Sequence, residues 1–85
     1  MSDDFRILIC GDLDYEEMVV DIIWKGHTVG IVTIENGPEK MEFEIYNHPE
    51  GFKWKFPLDD FLKIIDWAKR ELISEYPIKQ NNSND

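Results

Sequence analysis

Glu17-Met18-Val19-Val20-Asp21-Ile22-Ile23-Trp24, running into Lys25-Gly26-His27, is the stretch whose reading decides the fold. Asp14 followed by Glu17 resembles a capping box, which would open a helix here. Against the helix stand Val19, Val20, Ile22 and Ile23, β-branched residues whose stiff χ1 favours extended backbone. Lys25-Gly26 then reads as a two-residue hairpin turn. The strand reading is preferred over residues 17–24, with Met18, Val20, Ile22 and Trp24 sharing one face, and the helix stays as the alternative.

Working outward, Phe5, Ile7 and Ile9 alternate with Arg6, Leu8 and Cys10, so both faces are partly apolar, as in a strand covered on both sides. Gly11-Asp12-Leu13-Asp14 is turn chemistry. Beyond the hairpin a strand is expected over residues 27–35. After the Asn36-Gly37-Pro38 turn another covers residues 41–46, with Met41, Phe43 and Ile45 inward and Glu42, Glu44 and Tyr46 outward. Pro49-Glu50-Gly51 forms the next turn, and residues 52–56 are an extended link with Phe52, Trp54 and Phe56 inward and Lys53 and Lys55 snorkelling out. The period then changes. Leu58, Phe61, Ile65, Ala68 and Leu72 recur at helical spacing, widened by Leu62, Ile64 and Trp67. Pro57, Asp59 and Asp60 suit the helix start, Asp59 can reach Lys63, and Pro77 stops the helix near Tyr76. The expected fold is α+β: an antiparallel meander of about four strands packed against one C-terminal amphipathic helix. Residues 1–79 form one domain in this reading, and residues 80–85 a frayed polar tail.

Composition narrows the function. The 85 residues carry 18 Asp and Glu against 9 Lys and Arg, a formal net charge of −9. Phosphate binding needs basic side chains, so direct nucleic-acid binding is not expected, nor is docking on anionic lipid. The one cysteine, Cys10, leaves no internal disulfide and no cysteine-based zinc site. No apolar run is long enough for a membrane span, and Ser2-Asp3-Asp4 does not open a signal peptide. A soluble, intracellular domain is expected.

Candidate chemistry is sparse. Asp12, Asp14, Glu16 and Glu17 have the alternate spacing of a calcium loop but lack its Gly and its terminal Glu, so no metal and no cofactor are expected. His27 and His48 stand apart in turns, without the partners of a catalytic triad, and are read as surface histidines. Cys10 is read as a small buried hydrophobe. The distribution of charge is more informative. Residues 1–50 hold 12 acidic and 3 basic side chains, whereas residues 51–85 hold 6 of each. The excess therefore lies in the strands and turns, in two groups: Asp12, Asp14, Glu16 and Glu17, and Glu42 and Glu44 with Tyr46. A solvated surface that aids solubility accounts for such groups. A surface that steers and grips a basic protein partner accounts for them as well, with Tyr46 as an aromatic anchor.

Ile45-Tyr46-Asn47-His48-Pro49-Glu50-Gly51, the aromatic link and Pro57-Leu58-Asp59-Asp60-Phe61-Leu62 opening the last helix complete a small acidic domain. Over about residues 18–73 it resembles the bacterial immunity proteins of contact-dependent growth inhibition and related polymorphic toxin systems. The resemblance carries over no catalytic or binding residue. It implies a cytoplasmic, non-enzymatic protein that binds a cognate toxin domain of nuclease type and blocks it by stoichiometric occlusion. The alternative is a nucleic-acid-mimicking inhibitor of a host or phage-defence protein, such as a CRISPR effector. Such a mimic needs carboxylates along an extended stripe, whereas here they fall in two groups.

Overall fold

A computed structural model describes residues 4–77; the polar tail expected over residues 80–85 lies outside them. Four strands, β1 (Phe5–Cys10), β2 (Val19–Trp24), β3 (His27–Thr33) and β4 (Glu42–Ile45), precede one helix, α1 (Leu58–Ser74). The strands form one antiparallel sheet in the order β1-β2-β3-β4. The deciding stretch is thus a strand. Its hairpin closes with Trp24 opposite His27, and Lys25 and Gly26 both take positive φ, 49° and 86°. That pairing of positive φ values matches the right-handed twist of the strands it joins.

β2 starts at Val19 rather than Glu17 because the backbone N–H groups of Glu16 and Glu17 are used elsewhere: both donate to the Glu35 carboxylate, at 3.2 and 2.6 Å. At the far end of β2 the register slips. Ile22 faces Gly30 and Ile23 faces Thr28, so Val29 is an extra residue on β3 and joins the helix-side core. Gly30 is needed where it stands. A Cβ there would collide with the Glu44 carbonyl and lie 3.0 Å from the Ile45 Cα, so only glycine lets β4 approach β3.

On the helix side, Phe5, Val20, Ile22, Val29, Val32 and Ile34 pack against Ile64, Ala68 and Leu72. The small Ala68, fully buried, lets the helix lie close to the sheet. Rings close one end of this core, with Phe5–Trp24 centroids at 4.5 Å, Trp24–Phe56 at 5.2 Å and Phe56–Phe61 at 5.3 Å.

Three expectations about burial and one about an ion pair are corrected. The helix stripe is centred on Ile64, Ala68 and Leu72, with Phe61 and Ile65 half-buried at its flank, while Leu58, Leu62 and Trp67 are exposed. At about 100° per residue, Leu58 and Leu62 swing beyond the buried arc on one side and Trp67 on the other. Second, α1 crosses β1, β2 and β3 but not β4; Ile45, expected inward, is 64% exposed. Third, Phe52 is exposed, because the link is not a strand and its alternation breaks at that ring. The helix's ion pair joins Asp66 and Arg70 at 2.9 Å in place of Asp59 and Lys63.

Candidate functional site: an acidic sheet face

The sheet face turned away from α1 is built by register. Leu8, Asp21, Ile31 and Glu44 lie in one row across all four strands. Asp21 and Glu44 stand on either side of Ile31, two strand spacings or about 9–10 Å apart. Alternation puts Glu42 and Tyr46 on the same face as Glu44. The Tyr46 N–H continues the ladder, donating to the Val29 carbonyl at 2.8 Å.

This face is not simply open to water. Val19, Ile31 and Thr33 point to it and are buried, because the segment between β1 and β2 folds back over it. Asp12 shapes that segment. Its carboxylate accepts the Asp14 N–H at 2.8 Å and its carbonyl accepts the Tyr15 N–H at 3.1 Å, a turn of the kind Asp favours. Glu35 then clamps the Glu16 and Glu17 backbone. Between these anchors Tyr15 crosses the sheet and its hydroxyl donates to Glu44 Oε1 at 2.7 Å. An open recess lies beside it, lined by Tyr15, Thr33, Glu42, Phe43 and Glu44.

The two acidic groups, remote in sequence, therefore meet on one surface. The Tyr46 phenol is pushed above its ordinary range first by burial and then by Glu44, Asp21, Asp12 and Asp14. The Tyr15 phenol is pushed up to about 12, chiefly because its proton is held by Glu44. Burial raises the Asp21 carboxyl, and Asp12 adds to it against a lowering contribution from Cys10. The Cys10 thiol lies 3.9 Å from Asp21 Oδ2 and is raised by burial, then by Asp21 and Asp12. That environment disfavours the thiolate a nucleophile needs. Cys10, expected to be buried, is half-buried at the margin of this face.

Of the residues expected in the site, Asp12, Asp14, Glu44 and Tyr46 converge, and Glu42 lines the recess beside them. Glu16 and Glu17 serve the fold through their backbone. Asp21, Tyr15 and Glu35 belong to the site but do not stand out in the sequence. A lone Asp inside a β-branched run is the signal that points to Asp21, since an apolar strand tolerates a carboxylate only where one face is wet.

The histidines, read as separate surface residues, meet at the opposite face. His27 and His48 ring centroids are 5.3 Å apart, and His48 lies 4.5 Å from Trp54 and 5.6 Å from Phe52. His48 Nδ1 accepts the Glu50 N–H at 3.0 Å. The Trp54 Nε1–H donates to the Tyr46 carbonyl at 2.8 Å, tying this aromatic group to the end of β4. Among the described residues no three His, Cys, Asp or Glu side chains are grouped to hold a metal, and no helix is long and apolar enough to cross a membrane.

The acidic sheet face thus sets two phenols among carboxylates and concentrates negative charge on one surface. No protein-family model, curated protein or solved structure matches the chain.

Proposed function

We propose that this protein neutralises a basic protein partner by stoichiometric occlusion, as an immunity protein does for a cognate toxin domain of nuclease type. The observation that supports the reading is the convergence of Asp12, Asp14, Asp21, Glu42 and Glu44 around Tyr15 and Tyr46 on the sheet face away from α1. A nuclease must present Lys and Arg to phosphate, and a carboxylate surface of complementary shape competes for those side chains. Tyr46, 39% exposed, is an aromatic anchor of the type that dominates such interfaces. Occlusion requires no turnover and no cofactor. In this reading the protein acts in the cytoplasm, where the toxin's substrate lies.

The test is affinity capture from the native source, elution by a salt gradient, and reconstitution with the recovered polypeptide. The expected outcome is a basic polypeptide in a one-to-one complex whose nuclease activity is abolished by the wild-type protein. Asp14→Lys with Glu42→Lys leaves the Tyr15–Glu44 bond in place and should restore activity by weakening the complex at least about tenfold, the scale of one lost charged contact. Full inhibition by that variant would move the interface off this face. Capture of a nucleic-acid-handling host protein without toxin activity would favour the mimic of nucleic acid.

A further inference from the structure

Within the acidic face, β4 is also an edge. The bond from the Tyr46 N–H to the Val29 carbonyl makes Gly30 and Ile45 a non-hydrogen-bonded pair. By alternation the N–H and C=O groups of Phe43 and Ile45 point away from β3. Among the described residues no backbone group pairs with them. The strand is exposed at Glu42, Glu44 and Ile45, and a recess opens on each side: that beside Tyr15, and one lined by Pro38, Met41, Phe43, Ile65 and Lys69. The other edge strand, β1, packs against α1 and carries no acidic side chain to face a basic strand.

We infer that β4 is a strand-addition site for an extended basic segment of a partner protein, one alternating Lys or Arg with apolar residues. The inference rests on the acidic-face reading and specifies how the partner engages it. An added strand takes up the outward backbone groups of Phe43 and Ile45. Its side chains opposite Glu42 and Glu44 stand about 5 Å from them, where Lys or Arg is favoured. Its alternate side chains fall beside Phe43 and Ile45, at the mouth of the recess that Ile65 and Lys69 of α1 also line. Short charged edges are also how proteins discourage pairing, and here the sign of the charge decides which pairing is discouraged. A second copy would set Glu42 and Glu44 against the same carboxylates, between two chains each of net charge −9. A basic strand reverses that repulsion.

The test uses the whole protein and a fluorescein-labelled peptide of alternating Lys and Val, with binding read by fluorescence anisotropy at low salt. One peptide is unmodified; a second carries N-methyl groups on alternate amides, which removes the strand-pairing donors and keeps the side chains. The expected result is binding of the first and about tenfold or weaker binding of the second, the worth of one or two backbone hydrogen bonds. Ile45→Pro removes the outward N–H without touching a bond to β3 and should weaken the unmodified peptide similarly, with folding checked by circular dichroism. Equal binding of both peptides by the wild type overturns strand addition. If Asp14→Lys with Glu42→Lys then weakens both peptides, the acidic-face reading stands alone; if it weakens neither, both readings fall. No binding of the unmodified peptide overturns the inference, as does a concentration-dependent dimer abolished by Ile45→Pro, which would assign the edge to a second copy.

Discussion

Tyr15 shows how one side chain joins two parts of the chain that share no sequence signal. Its hydroxyl bonds Glu44, 29 residues away, so the segment after β1 is held across the sheet. The bond also sets when the phenol ionises. A tyrosinate beside the Glu44 carboxylate would lose the shared proton and gain a like charge, which is why Tyr15 is pushed from 10.0 to about 12. The native pKa exceeds the unfolded one, so the protonated phenol favours the fold. That contribution is complete below pH 10 and is lost as pH rises through about 12. Ultraviolet titration in a Tyr46→Phe background should show a late-titrating phenol, and Glu44→Gln should move that transition back towards 10. A titration unchanged by Glu44→Gln would mean that the hydroxyl is not held by this carboxylate in solution. In the sequence Tyr15 reads only as an aromatic among acids; its role depends on the turn built by Asp12 and on the register of β4.

At the scale of elements, the amphipathic period of α1 is legible in the sequence but its rotation is not. Leu58, Phe61, Ile65, Ala68 and Leu72 make as regular a stripe as Ile64, Ala68 and Leu72, and only docking on β1, β2 and β3 selects between them. The structure buries Ile64 fully and leaves Leu62 55% exposed. Ile64→Ala should therefore cost ~2–5 kcal/mol in unfolding free energy, as a cavity in the core does. Leu62→Ala should stay within about 0.5 kcal/mol, as surface changes do. Urea denaturation of both variants checks the contrast, and equal losses would place the helix at a different rotation. The strands divide in the same way. Alternation and the Lys25-Gly26 turn are enough to place β1, β2 and β3 as strands, but not to show the extra residue Val29 that shifts the register of β3. The exposure of Ile45 depends instead on where a helix thirteen residues later in the chain comes to rest, which no local pattern encodes. The meeting of His27 and His48 is hidden for the same reason, since it requires the end of β4 to return beside the start of β3.

For the whole molecule, the excess charge bears on folding and, in the proposed function, on binding with opposite signs. The excess of −9 arises within residues 1–50, and the fold gathers much of it on one sheet face, where Asp12, Asp14, Asp21 and Glu44 all act on Tyr46. Self-repulsion across that face opposes the compact state. Among the described residues, the Asp66–Arg70 ion pair lies on the exposed surface of α1 and offsets little of it. Raising ionic strength from about 0.01 M to about 0.15 M shortens the screening length from ~30 Å to ~8 Å. Added sodium chloride should therefore raise the thermal midpoint of the free protein while weakening its complex with a basic partner. A protein whose charge served solubility alone would show the first response without the second. One held chiefly by surface ion pairs would lose stability as salt rises. Measuring both responses over one salt series, by calorimetry for the free protein and anisotropy for the basic peptide, separates these cases. Asp14→Lys with Glu42→Lys should flatten both slopes together, because in the proposed function the carboxylates that repel one another in the free fold are the ones that meet the partner.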